Sequence, residues 1–169
     1  MEKKDSLKKS FAPVYDAETQ MLILGTLPGA KSLAYNEYYG DPRNRFWRII
    51  AEITGHKLPE NYTEKTQMLL ENKIGLWDVV REANREGSLD SAIKNEEPND
   101  LNSLILSLKN LKAIAFNGKK AAQFYDKYFK RVDGIRYLLL PSSSPANAGI
   151  DFAGLCKAWN AVYFPLFNK

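Results

Sequence analysis

Four short apolar runs, each separated from the next by helix-patterned sequence, constrain this chain more than any other feature. They span residues 21–26 (MLILGT), 74–78 (IGLWD), 113–117 (AIAFN) and 137–141 (YLLLP). Continuous apolar runs of this length read as strands buried on both faces. Between them, residues 45–53 carry Phe46, Trp47, Ile49, Ile50 and Ile53 close to the i, i+3, i+4, i+7 spacing of an amphipathic helix. Further helices are expected over 64–70, over 101–108 with Asn99 or Asp100 as cap, over 119–129 behind Gly118, and over 152–164, ending near Pro165. Strands alternating with helices predict an α/β three-layer sandwich with a central four-stranded, mainly parallel sheet.

Size and composition narrow the chemistry. The 169 residues suit one domain, here residues 11–169, behind a basic N-terminal tail of residues 1–10 expected to be flexible. That N-terminus is charged and lacks the apolar stretch of a signal peptide, and no apolar run approaches a membrane span, so a cytoplasmic protein is expected. A single cysteine, Cys156, excludes an intrachain disulfide and a cysteine-based zinc or iron–sulfur site. A single histidine, His56, removes mechanisms that need a histidine pair. No metal or cofactor is expected, and a monomer is the default. The net charge of +4 favours a polyanionic partner without specifying one.

Ligands of open α/β sheets bind beyond the carboxyl ends of the strands. The informative loops of this chain all fall there: Gly25-Thr26-Leu27-Pro28-Gly29, Asn117-Gly118-Lys119, and Pro141 through Ser142, Ser143, Ser144, Pro145 and Ala146 to Asn147. Turn chemistry alone also explains such compositions. After the first loop come Tyr35, Tyr38 and Tyr39, then Asp41-Pro42-Arg43-Asn44-Arg45, then Phe46-Trp47. Aromatics interleaved with amide and basic side chains suit a pocket that stacks a base and contacts phosphate. The competing reading makes Asn44 a helix cap and Phe46 and Trp47 core residues. Asn117 can read a lactam edge, accepting its N–H and donating to its carbonyl; a turn asparagine is the alternative. The basic stretch from Lys112 to Arg136, with Lys119, Lys120, Lys127, Lys130 and Arg131, reads either as phosphate contact or as a solvated helix face. The serine run has no sequence-adjacent base, so a serine esterase is a remote alternative.

Together GTLPG, YYGDPRNRFW, FNGKKA and PSSSPANAG resemble the uracil-DNA glycosylase superfamily, and most of all its hypoxanthine (deoxyinosine) branch, from about Phe11 to Phe164. The resemblance implies a target nucleotide flipped out of DNA and a glycosidic bond cut by water, as in base excision repair. In many members an Asn or Asp precedes the proline of the first motif; Leu27 stands there in this chain. The resemblance then hands the positioning of water to Asn44, base stacking to Tyr39 and base reading to Asn117. It places Thr26, Leu27 and Phe46 around the base, the backbone of residues 25–27 as hydrogen-bond donors, and Lys119 on phosphate. Ser142, Ser143 and Ser144 would support the last loop, with Pro145, Ala146 and Asn147 as the wedge that replaces the flipped base. The last motif of several branches begins with a histidine; here Leu140 precedes Pro141. Hypoxanthine is therefore the first candidate base. The alternatives are a uracil or mismatch-type glycosylase and a non-catalytic DNA- or nucleotide-binding member.

Overall fold

The computed structural model describes residues 6–167. In chain order its elements are β1 (Leu7–Lys9), β2 (Met21–Gly25), α1 (Ala30–Tyr35), α2 (Phe46–Thr54), α3 (Tyr62–Glu71), β3 (Ile74–Asp78), β4 (Val80–Asn84), β5 (Lys94–Pro98), α4 (Leu101–Ser107), β6 (Ala113–Asn117), α5 (Lys119–Tyr128), β7 (Arg136–Leu140) and α6 (Phe152–Phe167), with one 3-10 turn at Asp90–Ala92. β3, β2, β6 and β7 lie side by side in that order, all parallel.

The period of two in β2 builds the layers. Met21 and Ile23 face one side, packing with Phe46, Ile49 and Ile50 of α2 and Leu155 and Trp159 of α6. Leu22 and Leu24 face the other, packing with Leu101 and Leu104 of α4 and Phe124 and Tyr125 of α5. Burying each such side chain contributes about 1.5–3 kcal/mol, so a polar substitution on either face of the central strand is costly. β2 connects to β3 on one side and has β6 on the other, so the strand order reverses between β2 and β6. The crevice beyond their carboxyl ends is where such sheets bind ligands.

A second, antiparallel sheet in the order β1-β4-β5 is absent from the sequence-based expectation. Its members, LKK, VREAN and KNEEP, hold no apolar run. β1 corrects the expected tail: Leu7, Lys8 and Lys9 pair in register with Asn84, Ala83 and Glu82. Residues 1–5 of that tail lie outside the described residues. The chain passes from one sheet to the other at Val79, whose N–H donates to the Gly25 carbonyl at 2.9 Å, followed by Val80 N–H to the Thr26 carbonyl at 3.1 Å. The buried Asn99 amide locks this junction by donating to the carbonyls of Asp78 and Val80 at 2.8 and 3.3 Å. Among the described residues no helix is long and apolar enough to cross a membrane.

Candidate functional site

The carboxyl ends of β2, β3, β6 and β7 open into one cavity of about 1130 Å3. One wall is the loop from Gly25 to Ser32, the other is the loop from Pro141 to Asn147, and Tyr39, Asn44, Asp78 and Asn117 lie between them.

A three-residue hydrogen-bond chain crosses the cavity. The Ser143 N–H donates to Asn117 Oδ1 at 2.9 Å, which fixes which end of that amide is oxygen. The Asn117 NH2 therefore donates to Ser143 Oγ, also at 2.9 Å. The Phe46 N–H donates to Asn44 Oδ1 at 3.0 Å and fixes the second amide. Ser143 then has one arrangement left: it accepts from Asn117 and donates to Asn44 Oδ1 at 2.9 Å. Two backbone N–H groups thus set the direction of every proton in the chain. Ser143 is fully buried, so the bonds form away from competing water and polarise one another. The NH2 group of Asn44 makes no hydrogen bond among the described residues, and its residue lines the cavity. Arg45 is the N-cap residue of α2, and Asn44, one residue earlier, both holds the first N–H of that helix and lines the cavity.

Arg45, the next residue, clamps the loop that carries Ser143. Its backbone N–H donates to the Ser143 carbonyl at 3.1 Å. Its guanidinium donates to the carbonyls of Ile150 at 2.8 Å, Ser144 at 3.1 Å and Asn147 at 2.8 Å. Inside the loop, Ser142 Oγ accepts from Ser144 N–H, Ser144 Oγ accepts from Ala146 N–H, and the Asn147 NH2 donates to the Ser142 carbonyl. The turn stays tight because Gly118 (φ +95°) lets β6 press against it; a Cβ there would lie 3.2 Å from that of Ser142.

The opposite wall is held by Arg85, which is 2% exposed. Its guanidinium donates to the carbonyls of Pro28 and Leu27 and lies 3.8 Å from Asp90. Thr26 Oγ1 donates to the same Asp90 carboxylate at 2.7 Å. The floor is Tyr39 and Asp78. Tyr39 sits in the left-handed region (φ +53°), and its ring stacks on Phe46 at 4.1 Å between centroids. Its hydroxyl is buried without a partner, and burial, then the charge of Asp78, raises its pKa against a smaller lowering by Asn117. Asp78 is 4% exposed and its Oδ2 has no partner among the described residues. Burial, reinforced by Asp90 and opposed by Arg85, pushes its carboxyl up to about 7.

The structure brings all but one of the sequence-predicted site residues to the cavity. Thr26, Leu27, Tyr39, Asn44, Asn117, Lys119 and residues 142–147 all line the cavity. Phe46 does not: it is fully buried beneath Tyr39, Trp47 and Trp159, so its ring is core and presents no surface to the cavity. Asn117 lines the cavity, yet its carbonyl is taken by Ser143 and one N–H by the same residue, so its first task is to tether the loop. Of the basic stretch only Lys119 reaches the cavity. Lys127 pairs with Glu96, and Arg131 pairs with Asp126 while lying over Phe116 and Tyr137. His56 is exposed, contacts Thr54 and lies away from the cavity. Arg45 belongs to a motif that stands out in the sequence, but its clamping role does not, and Asp78, Arg85 and Asp90 carry no local sequence signal. Among the described residues no group of three or more His, Cys, Asp or Glu side chains converges to hold a metal ion.

The parallel four-stranded sheet thus carries at its carboxyl edge a cavity lined by an amide–hydroxyl–amide chain and the Tyr39 ring. The chain belongs to the Uracil DNA glycosylase superfamily, whose family model matches residues 12–162. It is 44% identical over 141 residues to the "Hypoxanthine DNA glycosylase" of Methanosarcina barkeri (strain Fusaro), covering 83% of this chain and 88% of that one. The protein of the same name from Methanosarcina acetivorans is 42% identical over 158 residues, covering 93% and 98%. A solution NMR structure of a Methanosarcina acetivorans protein, solved as a candidate uracil DNA glycosylase, superposes with a TM-score of 0.83 at 39% identity, covering 96% of this chain and 99% of that one.

Proposed function

We propose that this chain is a monofunctional DNA glycosylase that excises deaminated bases, hypoxanthine first, by flipping the nucleotide into the cavity and hydrolysing its glycosidic bond. The observation that carries the proposal is the Asn117–Ser143–Asn44 chain, which fixes the Asn44 amide and leaves its NH2 group for a water molecule. An amide cannot deprotonate water, but a water held in line needs little deprotonation when the sugar is already becoming an oxocarbenium ion. The free face of Tyr39 stacks the base, and the remaining N–H of Asn117 donates to a ring carbonyl. Leu27, where the resemblance puts Asn or Asp in many members of the superfamily, argues against efficient uracil removal, and the names of both Methanosarcina relatives favour hypoxanthine. Lys119 at the cavity rim suits a phosphate, and Pro145, Ala146 and Asn147 suit the wedge on the duplex. The reading goes with a monomer acting on cytoplasmic DNA in base excision repair.

The test is strand cleavage after alkali treatment of duplexes holding a single hypoxanthine, xanthine or uracil. Release of hypoxanthine ahead of uracil is the expected result. Uracil release alone would move the chain to another branch, and binding without release of any base would make it a non-catalytic member.

A further inference from the structure

Asp78 closes β3 at the point where the chain leaves the parallel sheet, and it lines the cavity floor. Gly25, its neighbour in the ladder, has no side chain to cover it. A Cβ on Gly25 would fall 2.7 Å from Asp78 Oδ1 and 2.8 Å from the Tyr39 hydroxyl. The missing methyl thus leaves a notch bordered by a carboxyl and a phenol. Asp78 Oδ2 and the Tyr39 hydroxyl both lack partners among the described residues. The nearby guanidinium does not neutralise the carboxyl by contact: Arg85 is engaged by Leu27, Pro28 and Asp90. A carboxyl nine-tenths buried and unpaired is a costly arrangement for stability alone, and in a cavity it marks a group kept for a ligand.

Hydrolysis of a purine nucleotide is accelerated by such a group. The departing base takes both electrons of the glycosidic bond and leaves far more easily once a ring nitrogen is protonated. The loop after β7 offers no histidine for this, and His56 is remote. We infer that Asp78 is the acid that protonates the departing purine on its five-membered ring. The inference rests on the hypoxanthine glycosylase reading above. The bond from the sugar's anomeric carbon to the base breaks, its electron pair goes to the purine, and the Asp78 proton moves to the free imidazole nitrogen, so the base leaves neutral. The water at Asn44 adds its oxygen to the anomeric carbon and releases one proton, and the Asp78 carboxylate takes up one proton to complete the cycle. Atoms and charge balance with no further reactant. Uracil has no such nitrogen, so the device favours purines.

The charged and titratable groups facing Asp78 are Arg85 behind β4, Asp90 in the 3-10 turn, Tyr38 and Tyr39 ahead of α2, and Tyr62 of α3. The tyrosines are all raised by burial and stay neutral, so Asp90 and Arg85 alone set the charge around it. With its carboxyl near 7, Asp78 carries its proton in mildly acid solution and loses it above neutrality.

The experiment is single-turnover release from hypoxanthine and 7-deazahypoxanthine duplexes at pH 5–9, with wild type and Asp78→Asn. Expected for wild type on hypoxanthine is a rate that falls about tenfold per pH unit above neutrality. Asp78→Asn should be about 100-fold slower at pH 6 and lack that limb. On the 7-deaza base, which lacks the accepting nitrogen, the two proteins should be equally slow. Equal rates on hypoxanthine, or a variant slowed by one constant factor at every pH on both bases, would overturn the acid role and leave the glycosylase reading intact. No hypoxanthine release by wild type at any pH would remove both.

Discussion

Replacing Asp78 by asparagine should stabilise the fold relative to wild type as pH rises, and the size follows from its burial. The carboxyl moves from an ordinary 3.8 to about 7 in the folded chain. Between these values the folded state holds a proton that the unfolded state has released, so stability is present at low pH and is lost as pH rises through about 7. Each pH unit well inside that window is worth about 1.4 kcal/mol, so wild type loses about 2.3 kcal/mol between pH 5 and 7 and about 0.4 kcal/mol more by pH 9, about 2.7 kcal/mol in all. At roughly 2–4 °C per kcal/mol for a chain of this size, wild type should fall by roughly 5–11 °C relative to Asp78→Asn across that range. The buried amide adds an offset of its own, but one independent of pH. Thermal melts of both proteins at pH 5, 7 and 9 in constant salt measure the difference, and all other titrations cancel because both chains share them. A Tm difference that stays the same from pH 5 to pH 9 would refute the argument, since it would mean that Asp78 ionises as freely in the fold as in the unfolded chain.

Three further perturbations probe the walls of the cavity. Ser143→Ala removes the hydroxyl that links Asn44 to Asn117 and should cost about 1–2 kcal/mol in urea denaturation, with slower base release and unchanged DNA affinity. Gly25→Ala drives a methyl into Asp78 and Tyr39 and should cost about 1–3 kcal/mol while abolishing activity; wild-type activity would show that the notch is not where the base sits. Lys119→Ala should weaken DNA binding with little dependence on the base and flatten the log–log salt slope by about 0.9, measured by fluorescence anisotropy from 50 to 200 mM salt.

Much of this fold is legible in the sequence, because strands buried on both faces announce themselves as apolar runs. β3 and β6 fall on residues 74–78 and 113–117 as expected, and β2 and β7 differ by one residue. The small sheet is not legible, since its strands owe their place to pairing and not to apolar patterning: KNEEP is charged, holds a proline, and still pairs with β4. Phe46 shows the limit of periodicity. Its spacing fits a core helix and a stacking pocket equally, and only the ring contacts with Tyr39 and Trp159 assign it to the core. Asn44 and Asn117 stand out by their loops, but the serine that joins them is 99 and 26 residues away, a distance no local pattern spans. Asp78 reads in sequence as the end of a strand. Its meaning comes from Gly25 across the ladder and from the junction of two sheets, both products of the fold.

The proposed function rests on Asn44 positioning water for cleavage of a flipped deaminated base. Its most direct test compares wild type with Asn44→Ala on one hypoxanthine duplex, measuring the single-turnover rate of base release and the affinity for the same duplex. The expected rate is at least about 100-fold lower with affinity within a few-fold of wild type, because a water that is no longer held loses its alignment while the base still stacks and the loops still grip DNA. A variant that releases hypoxanthine at the wild-type rate, or loses activity only in step with its affinity, would contradict it.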